Sequence, residues 1–171
     1  MSGAHSILIA GIGNIFLGDD AFGVEVVKRL LQRPIPDSVH VEDFGIRGFD
    51  LTYALMEEHY AVVLIDAMPR GGEPGTLYVV EPDTSESIGQ EMALEPHGMN
   101  PMNVLQMATA MGGQPRRVLI VGCEPATFGP EEGAMGLSEP VQRAVGEAVT
   151  LVENLIGRIR SNLSSLAEAQ L

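Results

Sequence analysis

The chain has 171 residues, enough for one domain with a proper core and too few for two comfortable ones. Apolar residues make up 45%, which excludes a disordered protein. The 10 Lys and Arg against 23 Asp and Glu leave a formal net charge of −13. This excludes a general nucleic-acid binder and disfavours docking on an anionic membrane, while favouring a basic partner surface.

In chain order, Ile7–Ala10 reads as a strand buried on both faces and ends at Gly11. A glycine-bearing loop follows. Ala21–Arg33 carries apolar residues at 22, 26, 27, 30 and 31, a helical spacing stopped by Pro34. Val39–Val41 predicts a short strand leading to Asp43. Phe49–Glu58 predicts a helix with Leu51, Leu55 and Met56 as its inner face. Ala61–Ile65 is the strongest strand signal and ends at Asp66. Met68–Gly75 is a Pro- and Gly-bearing loop. Thr76–Val80 is a strand, and with no helix before it an antiparallel position at an edge is expected.

Residues 83–101 are irregular, and Pro101–Met111 predicts a helix. Arg117–Cys123 is another buried strand, whose Cys123 reads as a small buried hydrophobe. As the only cysteine, it excludes a disulfide framework and a Cys-rich metal cluster. Glu139–Ile159 has apolar residues at steps of three and four and predicts an amphipathic helix. The alternation of elements implies a three-layer α/β sandwich, a mostly parallel sheet with helices on both faces. Residues 1–160 are expected to form a single domain, with 161–171 a polar tail or helix extension. No stretch is long enough to span a bilayer and no signal peptide is visible, so a soluble cytoplasmic protein is expected.

Three metal-capable residues, Asp20, Asp66 and His97, stand just after strand-like runs or in the loops beyond them. In one parallel sheet those loops converge at the same edge. Two carboxylates and an imidazole make an open, borderline-hard site suited to nickel or zinc rather than calcium. Each residue also has a plain structural explanation. Asp19 or Asp20 can cap the following helix, the better reading from the loop alone. Asp66 can bond to loop amides, and a loop histidine such as His97 is usually just solvated. His5, His40 and His59 read as ordinary surface residues. A dinucleotide-binding reading of Gly11-Ile12-Gly13 fails, because the third glycine would fall at Phe16 and two acids precede the helix.

Together these segments resemble the hydrogenase maturation proteases. The residues that carry the resemblance are Gly11-Ile12-Gly13-Asn14, Gly18-Asp19-Asp20-Ala21-Phe22-Gly23, Asp43-Phe44-Gly45, Leu64-Ile65-Asp66-Ala67, Pro96-His97, Val121-Gly122-Cys123-Glu124-Pro125 and Gly136-Leu137-Ser138. The resemblance implies a five-stranded twisted sheet and an endopeptidase that removes a short C-terminal peptide from the nickel-loaded precursor of a nickel–iron hydrogenase large subunit. It places the family's metal-binding and catalytic residues at Asp20, Asp66 and His97, and a substrate-facing acid turn at Asp43 and Gly45. Phe44 departs from the family's Asp-Gly-Gly form of that turn. The implied metal is nickel supplied by the substrate, with zinc or cadmium as other ions able to occupy the site. The precursor is the expected partner, and the protein is expected to be monomeric, without nucleic-acid or membrane partners. The alternative is a non-catalytic metallochaperone or precursor-holding factor. The methionines Met92, Met99, Met102, Met107 and Met111 read first as core packing and second as a grip for a protein partner.

Overall fold

A computed structural model describes residues 5–83, 99–113 and 115–169. Five strands, β1 (Ile7–Ile12), β2 (Val39–Gly45), β3 (Ala61–Ala67), β4 (Leu77–Val80) and β5 (Val118–Cys123), form one sheet in the order β2-β1-β3-β5-β4. Every pairing is parallel except β4 with β5. The expected antiparallel edge strand is present, but β5 inserts between it and β3, its predecessor in sequence.

Alternation along the strands divides the core. Ile7, Ile9, Val63, Ile65, Leu119 and Val121 face one layer of helices, α1 (Phe22–Leu30) and α4 (Glu139–Ala169). Leu8, Ala10, Val62, Leu64 and Ile120 face the other, α2 (Gly48–Met56) and α3 (Pro101–Ala110). Both faces of the central strands are therefore apolar, as a doubly covered parallel sheet requires. α4 packs Val141, Val145, Val149, Val152, Ile156 and Ile159 inward and continues through the polar segment beyond Ile159.

Three details correct the sequence reading. α1 ends at Leu30, and Leu31 points outward at 53% exposure rather than into the core. On α2, Thr52 is buried and Met56 lies outside, because Thr52 satisfies its hydroxyl on the Gly48 carbonyl (2.8 Å). His59 is buried too. Its Nε2–H donates to the Ala54 carbonyl (2.9 Å), and its Nδ1 lies 3.0 Å from Ser6 Oγ. Cys123 is fully buried, as expected. Among the described residues, no helix is long and apolar enough to cross a membrane.

Candidate active site

The chain leaves neighbouring strands β1 and β3 in opposite directions, from β1 toward β2 and from β3 toward β4 and β5. Such a reversal opens a crevice beyond the carboxyl ends of the strands, where open α/β sheets bind ligands. Asp20 lies in the single 3-10 turn Gly18–Ala21 after β1, and Asp66 is the penultimate residue of β3. Both line one cleft of about 880 Å³, with Leu17, Met68, Met99, Met102, Ile120 and Phe128 among its walls.

Glycines let the acids reach this position. A Cβ on Gly23 would stand 2.0 Å from the Ile65 carbonyl oxygen and 2.4 Å from that of Ile12. Its absence lets the first turn of α1 lie directly on the ends of β1 and β3. A Cβ on Gly13, at φ +147°, would stand 1.8 Å from the Asp20 carbonyl oxygen. Asn14 completes the loop: its N–H donates to Asp20 Oδ2 (2.8 Å), while its side-chain oxygen accepts from Phe16 N–H (2.9 Å).

Asp66 is 7% exposed and, among the described residues, accepts one hydrogen bond, from Ala67 N–H to Oδ1 (2.8 Å). Burial first, then the charge of Asp20, hold its carboxyl well above the ordinary carboxylate range, against that one bond. Burial also raises the pKa of Asp20, opposed by the Asn14 N–H. The two acids are thus electrostatic neighbours, each reluctant to ionise.

Neither acid of the 19–20 pair caps α1, so the helix-cap expectation is replaced. Asp19 is fully buried and is bonded across the molecule. It accepts from Ala126 N–H (2.7 Å), Thr127 N–H (3.1 Å), Ser138 N–H (2.7 Å) and the Ser138 hydroxyl (2.8 Å). The same two loops are joined by backbone bonds, Gly18 N–H to the Ala134 carbonyl (2.9 Å) and Ala134 N–H to the Phe16 carbonyl (2.8 Å).

Asp43 and Gly45 stand at the same edge of the sheet, at the end of β2, but they are not among the residues of the cleft wall. A register shift at this end of the β1–β2 pairing lets Gly11 face Asp43 and Ile12 face Gly45. Phe44, the departure from the family's turn, is buried in the core under α2. Gly45 has φ +52° and accepts Gly13 N–H on its carbonyl (3.0 Å), tying this turn to the loop that bears Asp20.

His97, and Met92 with it, lie outside the described residues. Met99 and Met102 line the cleft, Met107 Sδ lies 3.7 Å from the Thr52 hydroxyl oxygen, and Met111 is exposed. Among the described residues, no three His, Cys, Asp or Glu side chains form a metal site. Asp20 and Asp66 offer two hard oxygen donors on one cleft, and a borderline ion of nickel or zinc type would need a softer ligand beside them.

A family model described as hydrogenase maturation protease matches residues 24–155. The chain belongs to the hydrogenase maturation protease family. It is 33% identical over 147 residues to the hydrogenase expression/formation protein HupD of Rhizobium leguminosarum bv. viciae, covering 85% of this chain and 71% of that protein. It is similar to the crystal structure of hydrogenase 2 maturation peptidase from Thaumarchaeota archaeon SCGC_AB-539-E09, with TM-score 0.67 and 32% identity over 89% of this chain and 98% of that one. It is also similar to the hydrogenase maturating endopeptidase HybD from E. coli, with TM-score 0.72 and 28% identity over 92% and 93% of the two chains. As a hydrogenase maturation protease the chain is a peptidase with the family's α/β fold.

Sequence reasoning missed the cross-loop bonds of Asp19. It also missed Glu124, a buried carboxylate that accepts from Arg70 N–H (2.8 Å), Gly71 N–H (3.1 Å) and the Tyr78 hydroxyl (2.9 Å). The available signal was that both residues, and Ser138, fall inside the segments that carry the family resemblance.

Proposed function

We propose that this maturation protease removes a short C-terminal peptide from the nickel-loaded precursor of a nickel–iron hydrogenase large subunit, with Asp20, Asp66 and His97 as its reacting and metal-binding residues. One observation carries the reading: one acid in the turn beyond β1 and one near the end of β3 meet in one cleft, and each has its pKa raised. Perturbed carboxyl pairs in clefts are what hydrolytic proton transfer needs.

Nickel seated in the precursor counts as part of the substrate, and its chemistry is to position and polarise the scissile carbonyl. The protein residues do the rest. Asp66, whose pKa burial and the Asp20 charge raise, is the more basic carboxylate of the pair once ionised and so the one suited to take a proton from water. Asp20, anchored by Asn14 N–H and half-buried, keeps a carboxylate oxygen toward the cleft for the metal or the water. Met68, Met99, Met102 and Phe128 give the cleft adaptable apolar walls for a peptide. Asp43 and Gly45 are assigned to the substrate side of the same sheet edge. No paired nucleophile is called for, so water attacks directly rather than through an acyl-enzyme.

The deciding measurement is the mass of nickel-loaded and nickel-free precursor before and after incubation with the protein. A mass loss confined to the loaded sample is expected. Unchanged mass with stable binding would instead favour a precursor-holding factor. Asp20→Asn, Asp66→Asn and His97→Ala should each stay folded and fail to trim, and full trimming by all three would end the proposal.

A further inference from the structure

Asp19 and Glu124 are buried carboxylates outside the proposed chemistry, and both bear on one short segment. Residues 124–127 follow β5 directly. At one end the Glu124 side chain accepts Arg70 N–H, Gly71 N–H and the Tyr78 hydroxyl, gripping the loop that follows Asp66. At the other end, Ala126 N–H and Thr127 N–H donate to the side chain of Asp19, the residue before Asp20. The backbone repeats the pattern. Met68 N–H donates to the Cys123 carbonyl (2.8 Å), and Asp19 N–H donates to the Thr127 carbonyl (3.0 Å).

We propose that the segment Glu124–Thr127 is a cross-brace that sets the spacing between Asp20 and Asp66, with Asp19 and Glu124 as positioning residues for peptide hydrolysis. The inference rests on the reading of Asp20 and Asp66 as the reacting pair. The physical need is plain. Loops beyond strand ends are the compliant part of an α/β fold, and the two acids stand on separate ones or at their start. A strap bonded to both loops resists their separation. Neither positioning residue need touch substrate. A 1 Å misplacement of reacting groups is enough to slow a reaction by about 100-fold.

The test uses the full chain and nickel-loaded precursor, at a temperature well below the melting point of every variant. Asp19→Asn turns one acceptor oxygen into an amide that faces N–H donors, and Glu124→Gln does the same at the other end. Each should lower kcat by about 10- to 100-fold while KM changes by less than about threefold. The double variant should be no more than about threefold slower than the worse single variant, because one lost end already frees the spacing. If Asp19→Asn does not fold, Ala126→Pro removes one of the two N–H donors by which the segment holds Asp19 and takes its place in the cycle. Single variants with wild-type kcat, beside an inactive Asp20→Asn, would overturn the brace and leave the reacting pair standing. So would losses that multiply fully in the double variant, since each carboxylate would then hold its own loop alone. An Asp20→Asn variant that trims at the normal rate would overturn the reacting pair itself, and the brace with it.

Discussion

Asp20 raises the pKa of Asp66, although one lies beyond β1 and the other near the end of β3. Removing the first charge should therefore be felt at the second. In Asp20→Asn the Asp66 carboxyl should titrate at lower pH than in the wild type, though still above an ordinary carboxylate, because burial is the larger cause. Side-chain carbon NMR across the acid range measures this. An unchanged Asp66 titration would mean that the two acids do not share a cleft.

Asp66 costs the fold stability. Its folded pKa lies above the unfolded one, so the native state binds the proton more tightly, and stability falls as pH rises from the unfolded value toward the folded one. Asp66→Asn removes that penalty while keeping an acceptor for Ala67 N–H. Its urea midpoint should exceed the wild type's at pH 7, and the gap should close as pH falls below the ordinary carboxylate range. A variant less stable than the wild type at pH 7 would contradict this.

Glu124 acts in the opposite sense. Burial alone would raise its pKa, but the bonds from Arg70 N–H, the Tyr78 hydroxyl, Gly71 N–H and Gly72 N–H outweigh it, and the carboxyl is lowered. A depressed folded pKa gives stability that is present above the unfolded pKa and lost as pH falls through the folded one. Acid titration of Glu124→Gln should accordingly show a shallower loss of stability than the wild type on the acid side, read from melting temperatures at matched ionic strength.

Close approach at Gly23 makes a sharp test of packing. Gly23→Ala places a methyl 2.0 Å from the Ile65 carbonyl oxygen, so α1 must lift from the sheet. A loss of about 3 kcal/mol or more is expected from denaturant unfolding, at the upper end of overpacking costs. Gly157 in α4 has nothing within 4 Å of a built Cβ, and Gly157→Ala should gain about 0.5–1 kcal/mol.

Cys123 should be inert. Burial, then the charges of Asp19 and Glu124, push its thiol up to about 12, so almost no thiolate exists at neutral pH. Iodoacetamide at pH 7.5 should label it only in denaturant, as counted by intact mass. Rapid labelling of the native protein would show that the end of β5 opens readily.

Much of this molecule is legible in the chain because hydrophobic period is a local property. Runs such as Ala61–Ile65 and the three-and-four steps of α4 fix strands and a helix wherever they fold, and the acids at 20 and 66 are placed by the runs before them. Asp43-Phe44-Gly45 shows the limit: the motif is readable, but only the β1–β2 register shift places Phe44 in the core.

Periodicity and motif therefore determined the α/β class, the family resemblance and the positions of the two cleft acids. Tertiary structure alone decided that Asp19 bonds Ser138, 119 positions away, rather than capping its own helix. It also placed His59 in the interior and β5 between β3 and β4. Nothing within a short window of sequence specifies these. A buried carboxylate takes whichever donors the sheet order brings to it, and that order forms only when distant strands pair.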